Sequence, residues 1–263
     1  MSETFLDKIL AIKREKVERQ KRETDIDALK EHAFAMRQNA GSHRLRAALS
    51  RADRTNIIAE IKRASPSKGI INDMIDVAEV AKSYETGGAA AISVLTEEDF
   101  FKGSIDDLIA VRHAVGLPVL RKDFVVDEFQ IYESAGAGAD VILLIVAVLT
   151  EEDLKDFLRL GRDILGMDVI VEVHTDDELE IAANAGADII GVNNRDLRSF
   201  EVSLNVSRKL IVERPANGFM ITESGLSTRD EIYELKSLGF DGFLIGETLM
   251  RTAKASETLG GWI

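Results

Sequence analysis

The sequence has 263 residues, of which 45% are hydrophobic and 30% are charged, proportions that are ordinary for a globular protein. This length accommodates one barrel or two small domains. The 33 basic and 46 acidic residues give a net charge of −13, which argues against nucleic acid or an anionic membrane as a partner. Cysteine is absent from the sequence, which excludes disulfides, thiolate nucleophiles and cysteine-ligated zinc.

The sequence offers no targeting or membrane-spanning pattern. The opening residues MSETFLDK lack the basic-then-apolar order of a signal peptide. The longest apolar run, VILLIVAVL at 141–149, has nine residues and is too short to cross a bilayer. We therefore expect a cytoplasmic protein.

The first part of the chain is helical in pattern but carries no chemical motif. Residues 5–22, 26–37 and 45–49 space their apolar side chains as helices do. We expect residues 1–55 to form a helical extension that packs on the outside or the end of the remaining chain, 56–263.

From residue 56 onward, apolar segments rich in β-branched residues alternate with amphipathic ones. The predicted strands are 56–62, 89–95, 118–122, 140–146, 168–173, 188–192, 219–223 and 241–246. The predicted helices are 76–86, 104–115, 128–136, 151–165, 176–185, 204–213, 227–238 and 247–256. Strict alternation of this kind predicts a parallel sheet with crossover helices.

A glycine recurs where a predicted helix meets the following strand. Gly88, Gly138, Gly186 and Gly239 lie 50, 48 and 53 residues apart, and glycine suits a left-handed helix C-terminus. Each interval contains two βα units, so the pattern predicts a (β/α)8 TIM barrel within a single domain. A doubly wound open sheet is the alternative, but no G-x-G-x-x-G follows the first strand.

Active sites of such barrels lie at the carboxyl ends of the strands, and most predicted ends carry polar side chains. Lys122, Glu172 and Glu223 each follow an apolar residue two positions earlier, which puts them in phase on one face. Glu60 and Lys62 also share a face, although a plain salt bridge at a strand end explains that pair equally well. Two lysines and three glutamates at one barrel mouth would shift one another's pKa values, as acid–base catalysts require.

Glycine turns after the last two strands match the usual phosphate site of a barrel. These turns are Ser224-Gly225 and Gly246-Glu247-Thr248, and the first loop could add Ser65, Ser67 and Lys68. Because a carboxylate beside a phosphate is unfavourable, we expect the Glu247 side chain to turn away.

The remaining candidates have ordinary explanations. The four histidines are scattered without ligand spacing, so no metal site is predicted. His174 is interpreted as the start of a helix rather than as a catalytic group. Phe100 and Phe101 fit core packing and a ligand contact equally well.

Seven segments in register carry a family resemblance. AEIKRASPSKG, LTEEDFFKGS, PVLRKDF, VEVH, GVNNRDL, ITESG and FLIGETLM closely resemble the indole-3-glycerol phosphate synthase family of tryptophan biosynthesis, from about residue 5 to residue 250. The resemblance implies conversion of 1-(2-carboxyphenylamino)-1-deoxyribulose 5-phosphate to indole-3-glycerol phosphate with release of CO2 and water. It implies no metal, no organic cofactor and no obligate protein partner, and it is compatible with a monomer.

The resemblance also implies roles for individual residues. Lys122 would protonate the ribulose carbonyl, and Glu172 would accept or shuttle a proton in the dehydration, with Lys62 beside it. Which of these three groups makes each transfer is left open by the resemblance. Glu60, Asn193 and Glu223 would orient them and bind the substrate hydroxyl and amine. The other implied contacts are Arg195 at the carboxylate, Phe101, Phe124 and Leu197 at the anthranilate ring, Ser65 and Pro66 at the substrate, and Ser65, Ser224, Gly225, Gly246 and Glu247 at the phosphate.

Three other functions compete with this hypothesis. A phosphoribosylanthranilate isomerase would use a cysteine–aspartate pair, and the sequence has no cysteine. A Schiff-base aldolase would use Lys122 as a nucleophile. A non-catalytic barrel would have lost part of the polar set, which is intact here.

Overall fold

A computed structural model describes residues 4–66 and 68–263, and within these ranges eight parallel strands close into a barrel. The barrel strands, β1 to β8 in chain order, are Ile57–Ile61, Ala91–Leu95, Val119–Lys122, Val141–Ile145, Asp168–Val173, Ile189–Asn193, Phe219–Glu223 and Gly242–Ile245. Pairing of β1 with β8 closes the sheet. The (β/α)8 prediction is confirmed, and the open-sheet alternative is wrong. Ser67, a predicted phosphate contact, lies outside the described residues.

Helices connect the strands and surround them. The helices α1 to α12 are Phe5–Glu23, Ile26–Gln38, Arg44–Leu49, Val77–Thr86, Ile105–Ala114, Glu128–Gly136, Glu151–Leu158, Asp176–Asn184, Asn205–Leu210, Arg229–Leu238, Glu247–Arg251 and Ala255–Trp262. The predicted single helix 247–256 is wrong, because the backbone becomes extended at Thr252 and separates α11 from α12. None of the helices in the described part of the chain combines the length and the hydropathy that a membrane span needs.

Local sequence explains most of the element boundaries. Thr150, Thr175 and Thr228 each accept a backbone N–H of the following helix, as expected of N-cap residues. The recurrent glycines have positive φ values of 88°, 85°, 80° and 113° in chain order, which confirms their predicted left-handed conformation. The sequence pattern did not predict a short antiparallel hairpin, Ala64–Ser65 with Gly69–Ile70, in the loop after β1.

The barrel interior is filled by alternate side chains of the strands. Leu120, Ile170 and Ile221 lie in a fully buried cluster inside the barrel. Because strand side chains alternate, the residues two positions later also face inward, toward the carboxyl ends of the strands. This register directs Lys122, Glu172 and Glu223 into the barrel mouth.

The three N-terminal helices pack on the outside and at both ends of the barrel. Leu45 and Leu49 of α3 join the interior cluster and close the end opposite the mouth. Helix α2 runs along α6 on the outside. At the mouth, the Phe5 ring of α1 makes edge-to-face contacts with Phe100 and Phe200, at centroid distances of 4.9 and 5.0 Å. The extension therefore occupies the outside and both ends.

Candidate active site

A cavity of about 730 Å³ opens at the carboxyl ends of the strands, a size suited to a small-molecule ligand. All of the site residues that the family resemblance implies line this one cavity. They are Glu60, Lys62, Ser65, Pro66, Phe101, Lys122, Phe124, Glu172, Asn193, Arg195, Leu197, Glu223, Ser224, Gly225, Gly246 and Glu247. The strands thus bring together residues that are separated by up to 187 positions in the chain.

Lys122 lies at the centre of the charged groups in the cavity. Its Nζ is 2.9 Å from Oε2 of Glu172 and 3.2 Å from Oε2 of Glu223. Burial alone would lower the pKa of Lys122, but the two carboxylates, with Glu60, hold its pKa well above the usual range. Burial would likewise raise the pKa of Glu172, but Lys122 and His174 hold that pKa well below its usual range. Lys122 is therefore a protonated amine with an ionised partner.

Glu223 differs electrostatically from Glu172. Burial raises the pKa of Glu223 to about 7, and the attraction of Lys122 only partly opposes this effect. Oε2 of Glu223 contacts Lys122 as an ion pair at 3.2 Å, and Oε1 has no hydrogen-bond donor among the described residues. A Cβ at position 191 would lie 2.4 Å from Oε1 of Glu223, so Gly191 leaves the space that this side chain fills. A buried carboxylate with one oxygen free of donors is suited to receive a donor from a ligand.

The ionisation of Glu223 is expected to make stability depend on pH. The pKa of Glu223 is about 7 in the folded state and 4.5 in the unfolded state. Its contribution to the free energy of unfolding is therefore fully present below about pH 4.5 and is lost as the pH rises through 7. Between pH 5 and 8, the free energy of unfolding of the wild type should fall relative to that of Glu223→Gln by roughly 1–3 kcal/mol. Denaturant titrations at several pH values measure this difference. The exposed Glu257→Gln substitution is the control, and parallel curves for wild type and Glu223→Gln would contradict the assignment.

Glu60 and Lys62 form a second ion pair at the mouth. Lys62 Nζ lies 2.9 Å from Oε1 of Glu60, so the salt-bridge explanation is correct, and both side chains also line the cavity. Gly246 makes this arrangement possible, since a Cβ there would lie 2.3 Å from Oε1 of Glu60. The pair provides a second ammonium group in the same cavity.

The rim of the cavity at β7 and β8 has an unusual backbone. Ser224 and Gly225 both have positive φ, 67° and 83°, and a non-glycine residue in this region marks a strained turn. Glu247 turns toward Arg251, with 3.1 Å between Oε1 and Nε, as expected from the sequence. This ion pair neutralises the Glu247 carboxylate at the rim.

Phe101 is held in the cavity wall by a carboxylate that the sequence pattern did not single out. Glu97, which is buried, accepts the backbone N–H groups of Asp99, Phe100 and Phe101 at 2.7–3.1 Å. The carbonyl of Phe101 in turn accepts the N–H of Ala64 in the first loop. Of the two aromatic residues, Phe101 lines the cavity and Phe100 packs against α1.

Several residues that contact the site were not predicted. Helix α1 has no motif, yet Phe5, Leu6 and Ile9 line the cavity. Lys13 of the same helix pairs with Asp123, next to Lys122, at 2.7 Å. Lys68 and Thr248, named from the sequence as parts of the phosphate loops, also line the cavity. The other unpredicted lining residues are Leu95, Glu97, Asp123, Leu143, Ile145, Phe200, Val202, Leu226, Ser227, Leu244, Ile245 and Arg251.

The interpretation of His174 as merely the start of a helix was incomplete. His174 precedes α8, but its Nε2 lies 3.4 Å from Oε1 of Glu172. The alternation of strand side chains could have indicated this contact, because residues 172 and 174 share a face.

Comparison with known proteins identifies the family. A family model described as indole-3-glycerol phosphate synthase matches residues 6–259. A protein of that name from Carboxydothermus hydrogenoformans is 44% identical over 97% of this chain and 98% of its own length. Another from Lachnoclostridium phytofermentans is 46% identical over 95% of both chains.

Solved structures agree with the fold. The 3-hexulose-6-phosphate synthase from Salmonella typhimurium has a TM-score of 0.62, with 13% identity over 78% of this chain and 95% of its own. At that identity the likeness concerns the fold alone. The sequence matches, which extend over nearly the whole chain, show that it belongs to the indole-3-glycerol phosphate synthase family of carboxy-lyases.

Proposed function

We propose that the chain performs the reaction of its family with Lys122 as the general acid of ring closure and Glu172 as the base of dehydration. The observation that carries this proposal is the position of Lys122 Nζ, 2.9 Å from Glu172 and 3.2 Å from Glu223 inside the cavity. A protonated amine beside an ionised carboxylate can give a proton in one step and recover it in a later one. The substrate is 1-(2-carboxyphenylamino)-1-deoxyribulose 5-phosphate.

Ring closure and decarboxylation need one acid and no outside electron acceptor. The aromatic carbon that bears the carboxylate attacks the ketone carbon of the sugar chain, and Lys122 protonates the ketone oxygen to a hydroxyl group. The nitrogen lone pair supplies the electrons, so an iminium forms. CO2 then leaves, and its bonding pair restores the aromatic ring and the neutral amine.

Dehydration needs a second acid and a base. Lys62, paired with Glu60 at 2.9 Å, protonates the leaving hydroxyl group, which departs as water. Glu172 removes a proton from the carbon beside the nitrogen, and this completes the indole. The proton on Glu172 passes to Lys122 across their 2.9 Å contact, while Lys62 recovers its proton from solvent. One proton is consumed per turnover, as the loss of a carboxylate requires.

The cavity lining is suited to the three parts of this substrate. Arg195 is assigned to the carboxylate, and Asn193 and Glu223 to the hydroxyl and amine groups. Phe101, Phe124, Leu197 and Pro66 are assigned to the ring, and Ser65, Ser224, Gly225, Gly246 and the backbone of Glu247 to the phosphate. The local cations also offset the net charge of −13, which would otherwise repel a doubly anionic substrate.

The organisation of the chain supports a single domain. Helices α1 and α3 of the extension contribute to opposite ends of the barrel, so we propose that residues 1–55 fold together with 56–263. We further propose a cytoplasmic enzyme that needs no partner chain, since every group assigned above comes from this one chain.

A single-turnover experiment that follows CO2 and indole separately tests these roles. Labelled substrate reports CO2 release, and fluorescence reports the indole. In Lys62→Met, CO2 release should keep nearly the wild-type rate while indole formation slows by roughly 10²-fold or more, because only dehydration loses its acid. Equal slowing of both signals would contradict the assignment of Lys62.

Borohydride added with substrate should leave the protein mass unchanged, whereas a covalent adduct would favour the Schiff-base mechanism.

A further inference from the structure

Glu172 is contacted by two cationic groups, and the mechanism above uses only one of them. Lys122 lies at Oε2, on the side of the cavity. The other carboxylate oxygen of Glu172, Oε1, lies 3.4 Å from the imidazole nitrogen Nε2 of His174. The Glu172 side chain is 1% exposed, so water does not compete for either oxygen to a significant extent. His174 is not among the described residues that line the cavity, and so it acts on Glu172 rather than on a ligand.

Glu178 fixes the imidazole ring from the opposite side. Its Oε2 lies 3.1 Å from Nδ1 of His174 and accepts the backbone N–H of the same residue at 2.7 Å. Glu178 is itself anchored in the first turn of α8, where its N–H bonds to Thr175. A continuous series of contacts therefore runs from the start of α8 through the imidazole to Glu172.

The carboxylates on both sides keep the imidazole charged. Burial would lower the pKa of His174, but contacts with Glu172 and Glu178 raise it to about 10. Both ring nitrogens thus carry protons at neutral pH: Nδ1 donates to Glu178, and Nε2 contacts Glu172 as an ion pair. Lys122, from β3, is the other cation that acts on Glu172, and Glu223, from β7, is a carboxylate that interacts with it electrostatically.

This second cation matters most when Lys122 is neutral. In ring closure Lys122 gives its proton to the substrate, and the charge next to Oε2 disappears. A buried carboxylate without any cationic neighbour takes up a proton readily. Glu172 would then lose the ionised form that dehydration needs.

We propose that His174 is a positioning residue, whose imidazolium orients Glu172 toward Lys122 and keeps it ionised between ring closure and dehydration. This inference rests on the roles proposed above for Lys122 and Glu172. Glu178 acts through His174, since it holds the ring and its charge.

The pH dependence of kcat distinguishes this role from simple packing. In His174→Gln, kcat should fall about tenfold, well short of the 10²–10⁴-fold loss of a catalytic group, while KM changes little. The acidic limb of the kcat profile should move up by about 1–3 pH units, because Glu172 loses one of its two cations. Exposed His113→Gln is the matched control and should change neither. A uniform fall in kcat with an unmoved limb would overturn the proposal.

Glu178→Gln provides a second variant that keeps the shape of the site. The amide oxygen can still accept from the ring, but without the carboxylate charge His174 should lose its proton at lower pH. The variant should therefore match the wild type near pH 6 and lose activity at alkaline pH. Equal loss at every pH would overturn the role given to Glu178.

NMR titration of the histidine rings gives a readout that does not depend on turnover. Four histidines are present, and His174→Gln assigns the signal of interest. We expect the ring of His174 to stay protonated well above its ordinary pKa of about 6.5, and to titrate lower in Glu172→Gln. A ring that titrates normally and does not respond to Glu172→Gln overturns the proposal even when the wild type is fully active. Absence of wild-type turnover, by contrast, would contradict the proposed function.

Discussion

Replacement of Lys122 by methionine is expected to lower kcat by at least about 10²-fold and to stop CO2 release and indole formation together. Ring closure comes first, so the loss of its acid blocks every later step. Methionine matches much of the lysine side-chain length but has no proton to give. Single-turnover measurement of both products tests the prediction.

Two further variants make the result interpretable. Lys68→Met, at an exposed lysine of the same cavity, should affect KM rather than the rate of ring closure. Lys122→Met leaves Glu172 and Glu223 without their shared cation, so the double variant Lys122→Met/Glu223→Gln should regain stability but not activity. Normal CO2 release in Lys122→Met would transfer the role of first acid to Lys62.

Replacement of Arg121 by methionine is expected to cost roughly 3–5 kcal/mol of folding free energy, the usual effect of breaking a buried ion pair. Arg121 is 5% exposed, and its guanidinium contacts Glu133 at 2.7 Å and Asp123 at 3.3 Å. It also donates to Thr96 and Ser134, so its removal leaves several buried acceptors without a donor. Urea unfolding followed by circular dichroism measures the loss.

Arg51→Met is the matched control for this effect. Arg51 also pairs with an aspartate, Asp53 at 2.8 Å, but both side chains are exposed, and such pairs contribute about 0–1 kcal/mol. Arg121→Lys should lie between the two, because it keeps the charge and loses the planar fork. Equal destabilisation by both methionine variants would contradict the buried-network explanation.

The fold could be predicted because its pattern is periodic. Several strands have a continuous apolar run, and the helix ends at the four repeat glycines need a left-handed residue, so the βα units could be counted. The charged site residues could be located because they lie at strand ends, two positions after an apolar residue. Lys122 and Glu172, for example, are fixed by the inward register of Leu120 and Ile170.

The contributions of α1 could not be predicted in the same way. Phe5 and Ile9 have ordinary helical spacing, and nothing local distinguishes a stripe that covers a cavity from one that covers a core. The pairing of Lys13 with Asp123 joins residues 110 positions apart and depends on tertiary packing. The break in the last predicted helix was missed because residues 247–256 contain neither glycine nor proline.

The position of α1 over the barrel mouth has a consequence for protein synthesis. The apolar stripe of Phe5, Leu6 and Ile9 leaves the ribosome before any barrel strand, and β8 completes the barrel only after residue 245. At 5–20 residues per second, this stripe waits about 12–50 s for the surface it covers. We therefore expect the nascent chain to depend on chaperones that bind early apolar segments, and a variant with a more polar α1 to depend on them less.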